Sequence, residues 1–156
     1  MATEEDILFR GFPTRDREDF LAMGHERQCL PSEPVIRYEV DNSSLFIALE
    51  GEGSVWKGDI RVGSIREADV FGESALFQNQ RRIATVRAET PMRVLEFRRQ
   101  EIFNYFKWKK ERLFKLFVFN IITILLGKLG RANERIAGLE KRLREGVLSA
   151  VGGGGV

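Results

Sequence analysis

The segment from Phe71 to Val86 combines a glycine, an acid and an arginine at spacings that suit a phosphorylated ligand. Gly72 lets the backbone approach a ligand closely or take an unusual φ angle. Glu73 to Phe77 can form one helical turn, and the unpaired N–H groups that begin a helix attract an anion. Arg82 stands at the head of an alternating strand, where its guanidinium can bind a phosphate through two hydrogen bonds. An acid for hydroxyls and an arginine for a phosphate together indicate a phosphorylated sugar as ligand.

Three short motifs in this segment resemble the phosphate-binding cassette of cyclic nucleotide-binding domains. They are Gly72-Glu73, Ala75-Leu76 and Arg82-Ile83-Ala84-Thr85-Val86. Domains of this family occur in catabolite activator protein and in the regulatory subunits of cyclic AMP-dependent protein kinase. The resemblance covers about Leu8 to Leu143, and the combined motifs are far more specific than any one of them alone.

The resemblance implies a role for each cassette residue. Glu73 would accept a hydrogen bond from the ribose 2′-hydroxyl. The backbone N–H groups of Ser74 and Ala75 would face the cyclic phosphate. Arg82 would pair with the charged phosphate oxygens, and Ile83 would offer a backbone N–H.

Ile83 departs from the family pattern, in which the residue after the arginine is usually Ala, Ser or Thr. Two outcomes are open: the side chain points away and the pocket binds, or it crowds the pocket and leaves a non-binding dimerisation or scaffold module. A Thr or Ser at this position often accompanies a preference for cyclic GMP. Its absence favours cyclic AMP over cyclic GMP.

Length and composition indicate one soluble domain. The chain has 156 residues, of which 43% are hydrophobic and 31% charged, and its net charge is +2. It begins with acidic residues rather than the basic and then apolar order of a signal peptide. The apolar run Phe117–Leu126 is shorter than the ~18–20 residues that span a bilayer. With Cys29 as its one cysteine, the chain is expected in the cytoplasm.

No pattern in the sequence predicts catalysis. His25 and Cys29 are one histidine and one cysteine, four positions apart, and a surface or half-buried pair without metal is the favoured interpretation. No Ser-His-Asp set, Walker loop or zinc pattern is present. We therefore expect a protein that is not an enzyme and holds no metal.

The remaining pattern predicts an α+β fold: an antiparallel β jelly-roll barrel with a short N-terminal helix and a long C-terminal dimerisation helix. Thr14 is a candidate N-cap for a short helix that ends near Gly24. From Cys29 to Phe97 many short apolar runs alternate with turn residues, which is typical of a jelly roll. Helices are predicted at Glu101–Phe106 and Lys109–Glu145.

The long helix carries a seam of residues spaced seven apart, as in a coiled coil. A stripe this narrow favours a partner helix over packing on the chain's own barrel, and it predicts a homodimer. The seam residues are Val118, Ile122, Leu125, Leu129, Ala132, Ile136, Leu139 and Leu143. In the family this helix also closes over the base of the nucleotide, which would place Ala132 and Asn133 near the purine edge. Asn133 as an exposed amide beside the seam is an equally open interpretation.

Aromatic and basic residues interleave between Phe103 and Phe119. Such a segment could be a membrane-surface helix or a nucleic-acid patch. We favour a helical hinge whose aromatic residues pack on the barrel and whose lysines face water. With that interpretation we expect no membrane partner. No helix-turn-helix follows the long helix, so we expect no direct nucleic-acid binding.

Residues 1–98 are predicted to form a cyclic nucleotide-binding β-barrel with its N-terminal helix. Residues 99–145 are predicted to form the hinge and dimerisation helices, and residues 146–156 a flexible Gly-rich tail. The leading hypothesis is a homodimeric cyclic nucleotide sensor that acts on an unidentified downstream protein. The alternatives are the degenerate scaffold and a peripheral membrane protein that uses the aromatic and basic segment.

Overall fold

The computed structural model describes residues 1–36, 43–77, 84–109 and 111–152. The chain forms two compact units, Met1–Ile121 and Ile122–Val156. The helices are α1 Glu4–Leu8, α2 Thr14–Ala22, α3 Ser74–Phe77, α4 Arg99–Lys107 and α5 Glu111–Gly152. The strands are β1 His25–Cys29, β2 Pro34–Ile36, β3 Ser44–Glu50, β4 Gly53–Lys57, β5 Ile60–Ile65, β6 Val70–Phe71, β7 Thr85–Ala88 and β8 Met92–Arg98.

Two four-stranded antiparallel sheets form the body of the first unit, in the orders β1-β8-β3-β6 and β2-β7-β4-β5. Strand β3 is buried on both faces, since Leu45, Phe46 and Ile47 are all fully inaccessible. Residues from both sheets make one apolar core, and Val55 packs against it. The core residues are Cys29, Val35, Ile36, Phe46, Ala48, Ile65, Phe71, Val86, Ala88, Met92 and Val94. The predicted antiparallel jelly-roll fold, with a short N-terminal and a long C-terminal helix, is confirmed.

A cluster of aromatic rings joins the helices of the first unit to the barrel. The fully buried Phe20 ring in α2 lies 5.0 Å from Phe97 in β8, 5.6 Å from Tyr105 in α4 and 5.5 Å from Phe117 in α5 (centroid distances). This packing agrees with the predicted contact between aromatic residues of the segment and the barrel, whereas the role of the segment as a hinge stays a prediction. Trp108 and Phe119 are exceptions, because 83% and 66% of their surfaces are exposed.

Asn120 ties the start of α5 to the N-terminal segment. Its side chain is buried, and its amide nitrogen donates to the carbonyl oxygens of Leu8 at 3.0 Å and Arg10 at 2.9 Å. A buried amide is tolerated in an apolar helix face when its hydrogen bonds are made. Asn120, which interrupts the apolar run, therefore has a structural role in the first unit.

The second unit is the remainder of α5. Ile124 at its start is buried, but most of its apolar side chains are exposed, with Ile122, Leu129, Ile136 and Leu143 showing 47%, 56%, 55% and 69% of their surface. By length and composition α5 could cross a membrane between Glu111 and Leu148, although 28% of its most apolar window is buried within the protein. Part of its apolar content thus serves the protein core.

The structure differs from the sequence predictions at several element boundaries. Helix α1 and strand β1 were not predicted, α2 has Pro13 rather than Thr14 as its N-cap, and α5 runs past the predicted end at Glu145. Strand β1 is polar on its exposed side and so lacks a continuous apolar signal. The sequence also predicts a strand that includes Tyr38 and Val40, and both residues lie outside the described residues.

Replacing Asn120 with Ala should lower the free energy of unfolding by about 2 kcal/mol, because two hydrogen bonds are lost and the Leu8 carbonyl stays buried. Asn104→Ala is the matched control, since Asn104 is exposed and accepts one hydrogen bond from Gln100. Urea unfolding of the two variants measures the difference. Equal losses would contradict the role given to Asn120.

Tyr105 should make stability fall in strong alkali. Burial, with the charges of Asp16 and Asp19, raises the pKa of Tyr105 to about 12 from 10.0. Between these values the unfolded chain releases the phenolic proton while the folded chain keeps it, so the free energy of unfolding decreases as pH rises. Urea unfolding at the two ends of this window should show a smaller decrease for Tyr105→Phe than for the parent. Identical slopes would contradict the raised pKa.

Candidate nucleotide-binding site

The cassette predicted from the sequence begins where β6 leaves the first sheet. Phe71 pairs with Phe46 of β3, and their rings stack with centroids 5.1 Å apart and planes 12° apart. The backbone N–H of Val70 donates to Oε1 of Glu4 at 3.0 Å. Strand β6 is thus fixed on one side by the sheet and at its start by helix α1.

Gly72 and Glu73 form the turn from β6 into α3. Gly72 has a φ of +77°, a left-handed conformation that L side chains rarely adopt, so the glycine is needed for the turn. Glu73 is 7% exposed. The turn therefore holds a carboxylate at a buried position directly before a helix, and the position requires a charged or hydrogen-bonded partner.

Helix α3 presents its first turn beside this carboxylate. Leu76 is buried and anchors the helix, while Ser74 is exposed. The N–H of Leu76 donates to the Glu73 carbonyl oxygen at 3.1 Å. The N–H groups of Ser74 and Ala75 belong to the first turn, for which a helix supplies no internal acceptor. Anion binding at this point is consistent with the backbone geometry.

Strand β7 brings the chain back from the cassette into the second sheet. Val86 pairs with Ile36 of β2 and with Val55 of β4, and its side chain is buried in the core. Arg82 and Ile83, which precede this strand in sequence, lie outside the described residues. The phosphate contacts predicted for Arg82 and Ile83 stay predictions.

Ala132 and Asn133 lie on α5 in the second unit, and both are exposed. Of the predicted site residues, the structure brings Gly72, Glu73 and the start of α3 together in one turn. The contact of Ala132 and Asn133 with a purine also stays a prediction.

Sequence reasoning missed the contribution of α1 to the cassette. Thr3 and Asp6 form a capping box, in which the Thr3 side chain accepts from the Asp6 N–H and the Asp6 carboxylate from the Thr3 N–H. The spacing Thr-x-x-Asp at the chain start was the available signal for this helix. By starting α1 at Glu4, the capping box places Glu4 where it accepts the Val70 N–H.

The described residues contain no group of three or more His, Cys, Asp and Glu side chains that could hold a metal ion. His25 and Cys29 lie at opposite ends of β1. Nε2 of His25 is 2.9 Å from Oε1 of Glu101. Cys29 is buried, and burial raises the pKa of its thiol. A buried thiol with a raised pKa is a poor nucleophile and metal ligand.

A family model described as the cyclic nucleotide-binding domain matches residues 26–107 of this chain. The match covers both sheets from β1 onward, the Gly72–Glu73 turn and helix α3. It includes the positions of Arg82 and Ile83.

The chain is also similar to individual proteins. It is 31% identical over 84 residues to the cAMP-dependent protein kinase type II regulatory subunit of Drosophila melanogaster. The aligned region is 54% of this chain and 22% of that subunit. The chain thus spans about a fifth of the length of this curated relative.

Two solved structures share the fold. Catabolite activator protein from Thermus thermophilus superposes with a TM-score of 0.72 at 17% identity, over 86% of this chain and 63% of that one. The regulatory domain of Toxoplasma gondii PKA with cAMP superposes with a TM-score of 0.58 at 26% identity, over 64% of this chain and 40% of that one.

Proposed function

The chain belongs to the cyclic nucleotide-binding domain family, and from this premise we propose that it is a regulatory module that binds cyclic AMP in preference to cyclic GMP. The observation that carries the proposal is the turn in which Gly72, with its φ of +77°, sets the buried Glu73 directly before α3. A relative of known structure, the Toxoplasma gondii domain, was solved with cAMP.

The proposed binding mode divides the nucleotide between three groups. Glu73 accepts the ribose 2′-hydroxyl. A carboxylate has about four acceptor positions, so Glu73 can do so in addition to its contacts within the protein. The N–H groups of Ser74 and Ala75 face the cyclic phosphate, and Arg82 pairs with its charged oxygens. This binding mode uses the backbone N–H of Ile83 as a further donor to the phosphate, and it requires an Ile83 side chain that does not crowd the pocket.

The base is read from α5. Asn133 offers a donor and an acceptor on one side chain, the pattern that matches the amino group and a ring nitrogen of adenine. Its neighbour Ala132 is small and leaves room for the ring. The hydrogen-bonding groups of Asn133 and the absence of Thr or Ser at position 83 support cyclic AMP over cyclic GMP.

We further propose that two copies associate through α5. The exposed residues Ile122, Leu129, Ile136 and Leu143 are spaced seven apart, the repeat that lets one helix pack continuously against another. Exposed leucine and isoleucine side chains gain stability when a partner helix removes them from water. Within the described residues of this unit, 122–152, α5 is the sole helix, and a second copy is the proposed partner.

The proposed output is binding to a downstream protein in the cytoplasm rather than catalysis. Nucleotide binding would change the relative populations of two arrangements of the helices, and the downstream protein would recognise one of them.

In the second candidate function Ile83 crowds the cassette, and the chain is a dimerising scaffold that binds no nucleotide. The departure of Ile83 from the family pattern is the observation that favours it.

Replacing Arg82 with Ala should weaken cyclic AMP binding by roughly 30- to 1,000-fold, because a charged pair in a partly enclosed site contributes about 2–4 kcal/mol. Equilibrium dialysis with radiolabelled cyclic AMP measures the change after bound nucleotide has been removed by unfolding and refolding. Arg66→Ala is the matched control, since Arg66 is an exposed arginine between β5 and β6.

Unchanged binding by Arg82→Ala would contradict the cassette assignment. If the folded parent does not bind but Ile83→Ala does, the scaffold function is supported instead.

Replacing Ile136 with Glu should convert a dimer into monomers, because a charge in the seam loses its hydration when the helices pack. Lys141→Glu is the control, since position 141 lies on the opposite side of a seven-residue repeat and should stay dimeric. Sedimentation equilibrium of the parent and both variants gives the masses. A monomeric parent, or a dimeric Ile136→Glu variant, would contradict the proposed interface.

A further inference from the structure

A pocket of about 550 Å³ lies in the first unit at the corner where α4 ends and α5 begins. It is lined by Gly11, Pro13, Asp16, Trp108, Lys109, Arg112, Leu113 and Leu116. None of these residues belongs to the nucleotide cassette or to the α5 seam. The volume lies within the range of ligand-binding pockets in proteins.

The floor of the pocket is apolar and tightly packed. Leu113 is 7% exposed, and Leu116 is half-buried. Gly11 has a φ of +83°, and a Cβ there would lie 3.3 Å from both methyl groups of Leu116. An apolar group that enters the pocket would therefore contact packed aliphatic side chains on a preformed surface.

Two cations in the lining differ in what they have available. Nζ of Lys109 is 3.4 Å from Oδ1 of Asp16 and 3.8 Å from Oδ2 of Asp19, so its charge is already shared between two carboxylates. Arg112 is exposed and, within the described residues, has no ion pair or hydrogen bond. A guanidinium without a partner, next to an apolar floor, can donate two hydrogen bonds to a carboxylate.

Trp108 forms an exposed aromatic wall of the same pocket. It caps the C-terminus of α4, and 83% of its surface is accessible although the other aromatic residues of α4 pack inward. Nζ of Lys107 lies 5.4 Å from the centre of its ring. Tryptophan and arginine are the residue types most enriched among the side chains that dominate protein–protein binding energy.

We propose that this pocket docks a segment of a partner protein in which a carboxylate side chain is next to a bulky apolar residue. The apolar residue would rest on Leu113 and Leu116 against the indole of Trp108, and the carboxylate would pair with Arg112. Charge complementarity selects this occupant, because Arg112 is the unpaired cation among the described lining residues, whereas Lys109 is already engaged by Asp16 and Asp19. The proposal does not rest on nucleotide binding.

The test uses the full chain with Trp56→Phe, which leaves Trp108 as the one tryptophan. A capped peptide of sequence Gly-Ser-Glu-Asp-Phe-Leu-Ser-Gly is titrated while Trp108 fluorescence is recorded. The expected result is a saturable change that weakens as salt is raised. Two matched peptides, one with Lys-Lys in place of Glu-Asp and one with Ser-Ser in place of Phe-Leu, should each bind at least about fivefold more weakly.

The side chains are tested by Arg112→Gln in the same background, with Arg66→Gln as the exposed-arginine control. Arg112→Gln should weaken binding of the acidic peptide roughly fivefold without weakening binding of the Lys-Lys peptide, from which it removes a repulsive charge, whereas Arg66→Gln should change neither. Because Arg112 is exposed, thermal unfolding of this variant should match the parent and exclude a folding defect.

Three results would overturn the proposal. The first is that the acidic peptide does not bind to the folded protein. The second is that 3-phenylpropionate alone gives the same fluorescence response, which would indicate a small-acid site. The third is Trp108-dependent binding to phosphatidylserine vesicles without peptide binding. Equal binding of the acidic and Lys-Lys peptides would likewise remove the role of Arg112.

Discussion

The burial of Phe20 is the packing interaction on which the first unit depends. Its ring is fully inaccessible, and it contacts rings from β8, α4 and the start of α5 as well as Phe9 near the N-terminus. Burying such a side chain contributes about 1.5–3 kcal/mol, and each aromatic pair adds about 0.5–1.5 kcal/mol. One residue of α2 therefore holds the N-terminal helices, the barrel and the hinge helices in a single core.

Asn120 and Lys109 add polar contacts to the same connection. Asn120 donates to the carbonyl groups of Leu8, the last residue of α1, and Arg10, and Lys109 pairs with two carboxylates of α2. These contacts between the N-terminal segment and the hinge helices do not cover the corner at Trp108, where the side chain is 83% exposed. The Gly72–Glu73 turn follows β6, which pairs with β3 and shares helix α1 with this connection, because Glu4 accepts the Val70 N–H and Asn120 donates to the Leu8 carbonyl. The Gly72–Glu73 turn and the pocket beside Trp108 thus lie in different parts of the first unit.

The fold could be predicted from the sequence wherever apolar spacing was strong. The apolar run at Leu45–Leu49, the Gly58-Asp59 turn and the long helix were each recognisable from local pattern. Strand β1 was missed because its polar residues give no periodic apolar signal, and its pairing with β8 is decided by tertiary contacts. For α1 the capping box was present in the sequence, but its contact with Val70 spans 66 positions and could not be read from it.

The candidate site was predictable to a similar degree. Gly72 and Glu73 were identified from residue type and spacing, and the structure shows the left-handed turn and the buried carboxylate that these types permit. The pocket beside Trp108 was not predicted, since its residues come from segments about 100 positions apart that only the folded chain brings together.

The most direct test of the central claim is a calorimetric titration of the folded protein with cyclic AMP and then cyclic GMP, after mass spectrometry has shown that no nucleotide remains bound. Saturable binding of one cyclic AMP per chain, tighter than that of cyclic GMP, is the predicted result. No heat with either nucleotide from folded, nucleotide-free protein would contradict a sensing function and leave a scaffold with the fold of a cyclic nucleotide-binding domain.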